Sequence, residues 1–238
     1  MKLYINDKYI KRRAAIGKWS SLVGLVVLAG GFIVSLQDPR LFFVSFITLL
    51  LGFILSNVGI YFANRYVRTD RPDVVLVQAL KGFDARYALY QFLFPVSHVL
   101  CEPSGLTVLV PKLQDGQILF QNGKWRNKQG WSRIIRWVGQ EGLGKPELDL
   151  ERETQQLRNW LQKRAPDLEV PVRGVVVFTH PKAELQLDDP PVPAMSPKQL
   201  KGWLRKAGKL SPLPETTVTR LTEVLNEAAQ VSEMQVDE

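Results

Sequence analysis

Two stretches without a charged residue constrain this chain before anything else does: Trp19 to Gln37, 19 residues, and Leu41 to Asn64, 24 residues. At about 1.5 Å per residue they make helices of roughly 28 and 36 Å, enough to cross a hydrocarbon core of about 30 Å, the longer one with some tilt. The connection through Asp38, Pro39 and Arg40 is too short for anything but an antiparallel helical hairpin, with Pro39 placed to start the second helix. A cleaved signal peptide fits less well, because a second and longer span follows at once without a small-residue cleavage site between them. Gly31 with Ser35, and Gly52 with Ser56, offer small-xxx-small faces along which the two helices are expected to pack.

Charge sets the orientation. The net charge of +8 is concentrated at the start, where Lys2, Lys8, Lys11, Arg12, Arg13 and Lys18 stand against Asp7 alone. Arg65, Arg68 and Arg71 follow the second stretch, whereas the hairpin loop holds only Arg40. Membrane insertion keeps short basic segments on the cytoplasmic side. The expectation is therefore a protein integral to the cytoplasmic (inner) membrane, with the N-terminus and the C-terminal domain both in the cytoplasm. Residues 1–18 read as a basic cytoplasmic leader, 19–64 as the hairpin (spans 19–37 and 41–64), 65–230 as a cytoplasmic domain and 231–238 as an acidic tail.

Within the domain, Val74, Val77, Leu80, Phe83, Tyr87, Tyr90 and Phe94 recur at steps of three and four, which predicts one helix from Pro72 to Pro95. A short strand at His98 to Cys101 leads through Glu102, Pro103, Ser104 and Gly105, a type I turn, into the apolar strand Gly105 to Lys112. Asp115-Gly116 and Asn122-Gly123 are two-residue hairpin signals, so Gln117 to Gln121 and Lys124 to Arg126 are expected to extend an antiparallel meander from that strand. A short helix at Trp131 to Val138 follows, then a helix carrying Leu150, Thr154, Leu157 and Leu161 and stopped by Pro166. The strand Gly174 to Thr179 comes next. Five prolines among the 17 residues from Pro181 to Pro197 predict a loop with one edge strand at Glu184 to Leu187. A helix capped by Ser196 runs from Pro197 to Gly208, and a last helix begins at Pro214. The fold class is α/β, in the α+β layered sense, preceded by the transmembrane hairpin.

Several chemistries are excluded by what is missing. Cys101 is the single cysteine, and His98 and His180 are the only histidines, so neither an intrachain disulfide nor zinc-ligand spacing is available. No Walker loop is present, and the glycines at 139, 142 and 144 do not open a dinucleotide site. Ser97 and His98 are neighbours on a strand and would point to opposite faces, which disfavours a nucleophile–base pair. His180, before Pro181, is the better-exposed base candidate but lacks a nameable partner.

From Leu80 to Phe178 the domain resembles the nuclease-related domain (NERD) family, a bacterial-type branch of the restriction-endonuclease-like PD-(D/E)xK fold. The resemblance rests on His98 to Leu100 before a Pro-Ser-Gly turn, the strand Gly105 to Lys112, Gly116-x-Ile118, Trp125, a helix start at Lys145-Pro146 and the strand Gly174 to Phe178. It implies an aspartate just before the histidine and a glutamate two residues before the lysine, together holding a divalent cation, with the lysine assisting the attacking water. Here those positions hold Ser97 and Val110. Lys112 alone is retained, and an ammonium does not ligate Mg²⁺.

The expectation is a non-catalytic, membrane-anchored NERD-like protein that binds or scaffolds and needs no cofactor. One rival is a membrane-tethered nuclease that uses Mg²⁺ through relocated acids such as Glu102, Asp115, Asp84 or Asp73. Another is a structural protein contacting anionic lipid. The binding candidates are Lys124, Arg126, Lys128, Arg133 and Arg136, which alternate with Trp125, Trp131 and Trp137 in a basic stretch ending at Lys145. Such a stretch suits a nucleic-acid backbone or lipid headgroups, while a solvated basic face over inward-packed tryptophans is the plain structural alternative. The partners expected are the bilayer and a nucleic acid or protein, rather than a small-molecule substrate.

Overall fold

The computed structural model describes residues 1–37, 39–128, 142–208 and 212–234. The described residues divide into two compact units, one built on residues 9–71 and the other on residues 1–8, 72–128 and those from 142 onward.

The first unit is the hairpin: α1 (Asp7–Gln37), a 3₁₀ turn at Pro39–Leu41, and α2 (Phe42–Tyr66). Both helices are long and apolar enough to cross a membrane, and only 11% and 17% of their most apolar stretches are buried inside the protein. A core helix of a soluble domain would be mostly buried, whereas here Phe43, Leu36 and Val26 are 77%, 70% and 63% exposed. About three turns of α1, Asp7 to Lys18, precede the charge-free stretch.

The buried positions of the pair recur every seven residues, Ile10, Gly17, Gly24 and Gly31 on α1 and Ser45, Gly52, Gly59 and Tyr66 on α2, and all but Ile10 and Tyr66 are small. A Cβ added at Gly24 would lie 2.7 Å from Ser56 N, and one at Gly52 would lie 2.9 Å from Leu28 N. The backbones therefore touch, and the seven-residue repeat is that of helices crossing at a shallow angle. This corrects the expected seam: Gly52 and Ser56 do face α1, but Ser35 is exposed and Gly31 is joined by Gly24 and Gly17 instead. A four-residue spacing drifts off a shallow crossing, and a heptad stays on it.

The second unit is a layered α/β domain. Its main sheet has the order β1-β2-β3-β4-β7-β9, and a second sheet has the order β6-β5-β8. The elements are β1 (Lys2–Ile5), α3 (Pro72–Leu80), β2 (Ala88–Gln91), β3 (His98–Glu102), β4 (Gly105–Lys112), β5 (Gly116–Gln121), β6 (Lys124–Lys128), α4 (Pro146–Arg164), β7 (Val172–Phe178), β8 (Ala183–Leu187), β9 (Ala194–Met195), α5 (Pro197–Gly208) and α6 (Glu215–Met234). β2, β3 and β4 form an antiparallel meander, and β7 adds parallel to β4 with Val108 opposite Gly174 and Lys112 opposite Phe178.

Both faces of this sheet are covered, which is why β4 and β7 read as unbroken apolar runs. Val108, Val110, Val176 and Phe178 share one core with Leu150 and Leu157 of α4 and Leu221 and Leu225 of α6. Leu100, Leu109, Val175 and Val177 share the other with Leu76 and Leu80 of α3 and Leu200 and Leu204 of α5. Gly174 lets α4 lie close on β7, since a Cβ there would come within 2.5 Å of Leu150 Cδ1. At the start of α5, Ser196 N and Oγ both donate to Gln199 Oε1 at 3.0 and 2.9 Å, so the glutamine at the third position reaches back to the N-cap N–H as in one half of a capping box.

Two expectations for this unit are corrected. The helix from Pro72 stops at Leu80, and Ala88–Gln91 is a strand. Gly82, at φ +94°, turns the chain out of the helix, and the aromatic residues beyond it suit a sheet. Asp115-Gly116 is not a hairpin turn: the edge of β4 is taken by β7 along seven residues, so β5 leaves to pair with β6 and, in parallel, with β8. The meander is accordingly β2-β3-β4. Asn122 and Gly123, at φ 52° and 70°, do make the expected turn between β5 and β6.

The start of the chain adds a strand to the main sheet. Residues 2–5 form β1, parallel to β2 with Tyr4 opposite Tyr90, and those rings stack at 4.7 Å. The Met1 ammonium donates to Phe83 O at 2.7 Å. The expected helix at Trp131 to Val138 and the end of the acidic tail lie outside the described residues.

Candidate functional site

β4 ends where β7 and the start of α4 meet it, and Lys112 stands at that end. Alternation along β4 puts Lys112 on the same side as Val108 and Val110, the side covered by α4. Its Nζ donates to Asp149 Oδ2 at 2.6 Å and to Leu143 O at 3.4 Å, and the side chain is 12% exposed. Asp149 also accepts from Arg152 Nη2 at 2.9 Å. As an acid in the first turn of α4, it lies where the helix dipole favours negative charge. Thr179 N and Oγ1 both donate to Lys112 O, at 2.8 and 3.3 Å, tying the end of β7 to the end of β4. Gln114 Nε2 donates to Gly142 O at 3.2 Å.

The two positions where the resemblance implies acids are occupied otherwise. Val110 is buried at 4% exposure within the core on the α4 side. Ser97 is half-buried just before β3, and its carbonyl accepts from Phe92 N at 2.8 Å. The β3–β4 register, Val99 opposite Val108, carries Ser97 toward the level of Val110, and neither position brings a carboxylate. His98 is buried on β3, edge-on to Phe92 at 5.0 Å between ring centres. His180 Nδ1 accepts from Lys182 N at 3.2 Å in the turn before β8.

The relocated-acid candidates are scattered. Glu102 sits at the opposite end of the β3–β4 hairpin from Lys112, paired in register with Gly105. Its Oε1 accepts from Arg173 Nη2 at 2.7 Å and from the Thr107 hydroxyl. Arg173 also donates to Ser104 Oγ at 3.1 Å and stacks over Trp203 at 5.6 Å. Asp84 is held by Arg86 at 2.7 Å, and the hydrogen bonds from Arg86 lower its carboxyl below the ordinary range. Asp73 is buried at the start of α3, where its carbonyl accepts from Gln91 Nε2 at 3.0 Å. Of the four, only Asp115 lies at the Lys112 end of β4. Among the described residues, no group of three or more His, Cys, Asp or Glu side chains is arranged to hold a metal ion.

The basic stretch resolves by alternation. Lys124, Arg126 and Lys128 are exposed on one face of β6, and Trp125 and Asn127 turn inward. Trp125 lies opposite Phe120 in the hairpin, its ring 4.9 Å from Phe120 and 6.1 Å from Phe178. β6 is an edge strand, and its cations follow each other at about 6.6 Å, two strand residues apart. Arg133, Arg136, Trp131 and Trp137 lie outside the described residues. Lys145 is exposed at the N-cap of α4.

Asp149 is the site residue that sequence reasoning missed. Its signal was present as a carboxylate in the first turn of a helix starting at Pro146, but the pairing with Lys112 spans 37 residues and depends on β7 bringing α4 across β4. Compared with protein families, curated proteins and solved structures, the chain matches none of them.

Proposed function

We propose that this is an integral protein of the cytoplasmic membrane whose restriction-endonuclease-like, NERD-like domain faces the cytoplasm, has lost metal-dependent hydrolysis, and works by binding nucleic-acid backbone. The order of the domain supports the resemblance: helix α3, the antiparallel meander β2-β3-β4, helix α4, then β7 parallel to β4. The observation that carries the loss of hydrolysis is the Lys112–Asp149 ion pair at 2.6 Å, beside a Val110 buried in the core. Phosphodiester cleavage of the kind the resemblance implies needs carboxylates to hold the cation and a lysine turned toward the scissile group. Here the lysine is neutralised by a helix carboxylate, and the carboxylate position is an isopropyl group packed in the core.

Binding falls to the exposed cations Lys124, Arg126 and Lys128, whose spacing along one strand suits successive phosphates. This reading requires no cofactor. The test is incubation of the full-length protein in detergent with single- and double-stranded DNA and RNA in the presence of Mg²⁺ or Mn²⁺. Binding without cleavage is expected. Cleavage that disappears in Lys112→Ala would overturn the reading in favour of a membrane-tethered nuclease with relocated acids.

A further inference from the structure

The first turns of α1 carry cations for which the hairpin supplies almost no counter-charge. Asp7 is the only acid in α1, and α2 has none. Arg13 is turned toward α2, its guanidinium 4.8 Å from the Tyr9 ring and 5.7 Å from the Phe62 ring. Lys11, Arg12 and Lys18 are exposed. At about 100° per residue these three and Trp19 fall within an arc of roughly 120°. Gly17 and Gly24, which meet α2, lie on the other side of the helix.

The same ridge continues without a break into apolar side chains. Trp19 is 66% exposed, Leu22 52% and Val26 63%. Lys18 adjoins the start of the apolar stretch, and Lys11 and Arg12 stand about 10 Å further along the helix, within roughly one Debye length of a headgroup layer. One helix edge thus presents acyl-binding surface, an interfacial tryptophan and three exposed cations, in the order in which a phospholipid presents tails, glycerol and phosphate.

We infer that this ridge of α1 is a binding edge for anionic phospholipid, with Lys11, Arg12 and Lys18 on the headgroup phosphates and Trp19, Leu22 and Val26 along the chains. The inference rests on the membrane-spanning reading of the hairpin. It is independent of the nucleic-acid reading of the domain, because the ridge belongs to the helical unit alone.

The experiment reconstitutes the full chain in bilayers of phosphatidylcholine mixed with phosphatidylglycerol, extracts it in mild detergent, and measures by mass spectrometry the ratio of the two lipids retained. Enrichment of phosphatidylglycerol by about fivefold per engaged cation is expected, lost in Lys11→Gln/Arg12→Gln/Lys18→Gln and kept in the charge-conserving Lys11→Arg/Lys18→Arg. A wild-type ratio equal to that of the bilayer, or enrichment that survives the triple glutamine variant, would overturn it. Alkaline carbonate extraction separates the two readings: a chain that is washed out refutes the span and the lipid edge together. One that stays embedded but shows no enrichment refutes the lipid edge alone.

Discussion

Lys112 at the end of β4 and Asp149 in the first turn of α4 meet at 2.6 Å, 37 residues apart in sequence. The contact joins the central strand of the sheet to the helix that covers it, and it occupies the Lys112 amine. Both partners are partly shielded, at 12% and 28% exposure, so removing one leaves the other poorly solvated. Asp149→Ala should cost about 1–3 kcal/mol, and the double variant Lys112→Met/Asp149→Leu should recover part of it. A double-mutant cycle from chemical unfolding of the full chain checks this. Additive single effects would mean that the two groups do not interact.

The hairpin seam makes a sharp contrast between two neighbouring kinds of glycine. A Cβ at Gly24 would collide with the Ser56 backbone, whereas one at Gly30 meets nothing within 4 Å. Gly24→Leu must push the helices apart and should destabilise the hairpin by several kcal/mol, more than the roughly 1–3 kcal/mol of ordinary overpacking, since it is backbone that must move. Gly30→Leu should be neutral or slightly stabilising, because leucine is the better helix former. Thermal unfolding in detergent should therefore show a large fall for the first variant and none for the second.

Burial pushes the Cys101 thiol up to about 12 from 9.0, with the Glu102 charge adding in the same direction. The folded state then holds the proton that the unfolded chain releases, so the associated stability is fully present below pH 9 and is lost as pH rises toward 12. The loss should run at about 1.4 kcal/mol per pH unit across that window. Tyr87, also raised by burial, acts in the same direction. Cys101→Ala should lower stability at pH 7 through the small cavity it leaves, but flatten its decline above pH 9. Denaturation midpoints from pH 8 to 11 measure this, and an unchanged slope in the variant would refute the assignment. Wild-type Cys101 should also resist thiol reagents at neutral pH until the domain unfolds.

The hairpin and the ends of β4 were legible because their signals are local: a charge-free run of spanning length, or a proline-glycine turn opening a β-branched strand. The partner of β4 was not legible. Asp115-Gly116 is a sound turn signal, and only the long-range claim of β7 on the edge of β4 makes it a crossover into a second sheet. The same long-range step hid Asp149. β1 escaped for a different reason, since Lys2–Ile5 is too short and too mixed to announce a strand without Tyr90 and Phe83 to hold it. At the candidate site, that residues 97 and 110 carry no carboxylate was readable from the sequence, whereas the carboxylate that meets Lys112 was not.

The basic face of β6 separates binding from packing. Lys124, Arg126 and Lys128 are exposed while Trp125 is packed against Phe120. Exposed cations on an edge strand also serve simply to block edge-to-edge association, so the two roles must be told apart by measurement. If the strip contacts phosphates, Lys124→Gln/Arg126→Gln/Lys128→Gln should weaken binding of a single-stranded oligonucleotide and reduce the slope of log affinity against log salt by about 2, at about 0.7 per lost contact. The unfolding midpoint should stay within the scatter of surface substitutions. Trp125→Ala should do the reverse, costing about 3–5 kcal/mol of stability; the milder Trp125→Phe should leave the salt slope untouched. Fluorescence anisotropy titrations of the full chain at several salt concentrations supply both numbers. A salt slope unchanged in the triple glutamine variant would assign β6 to edge protection alone and remove the nucleic-acid partner from this face of the domain.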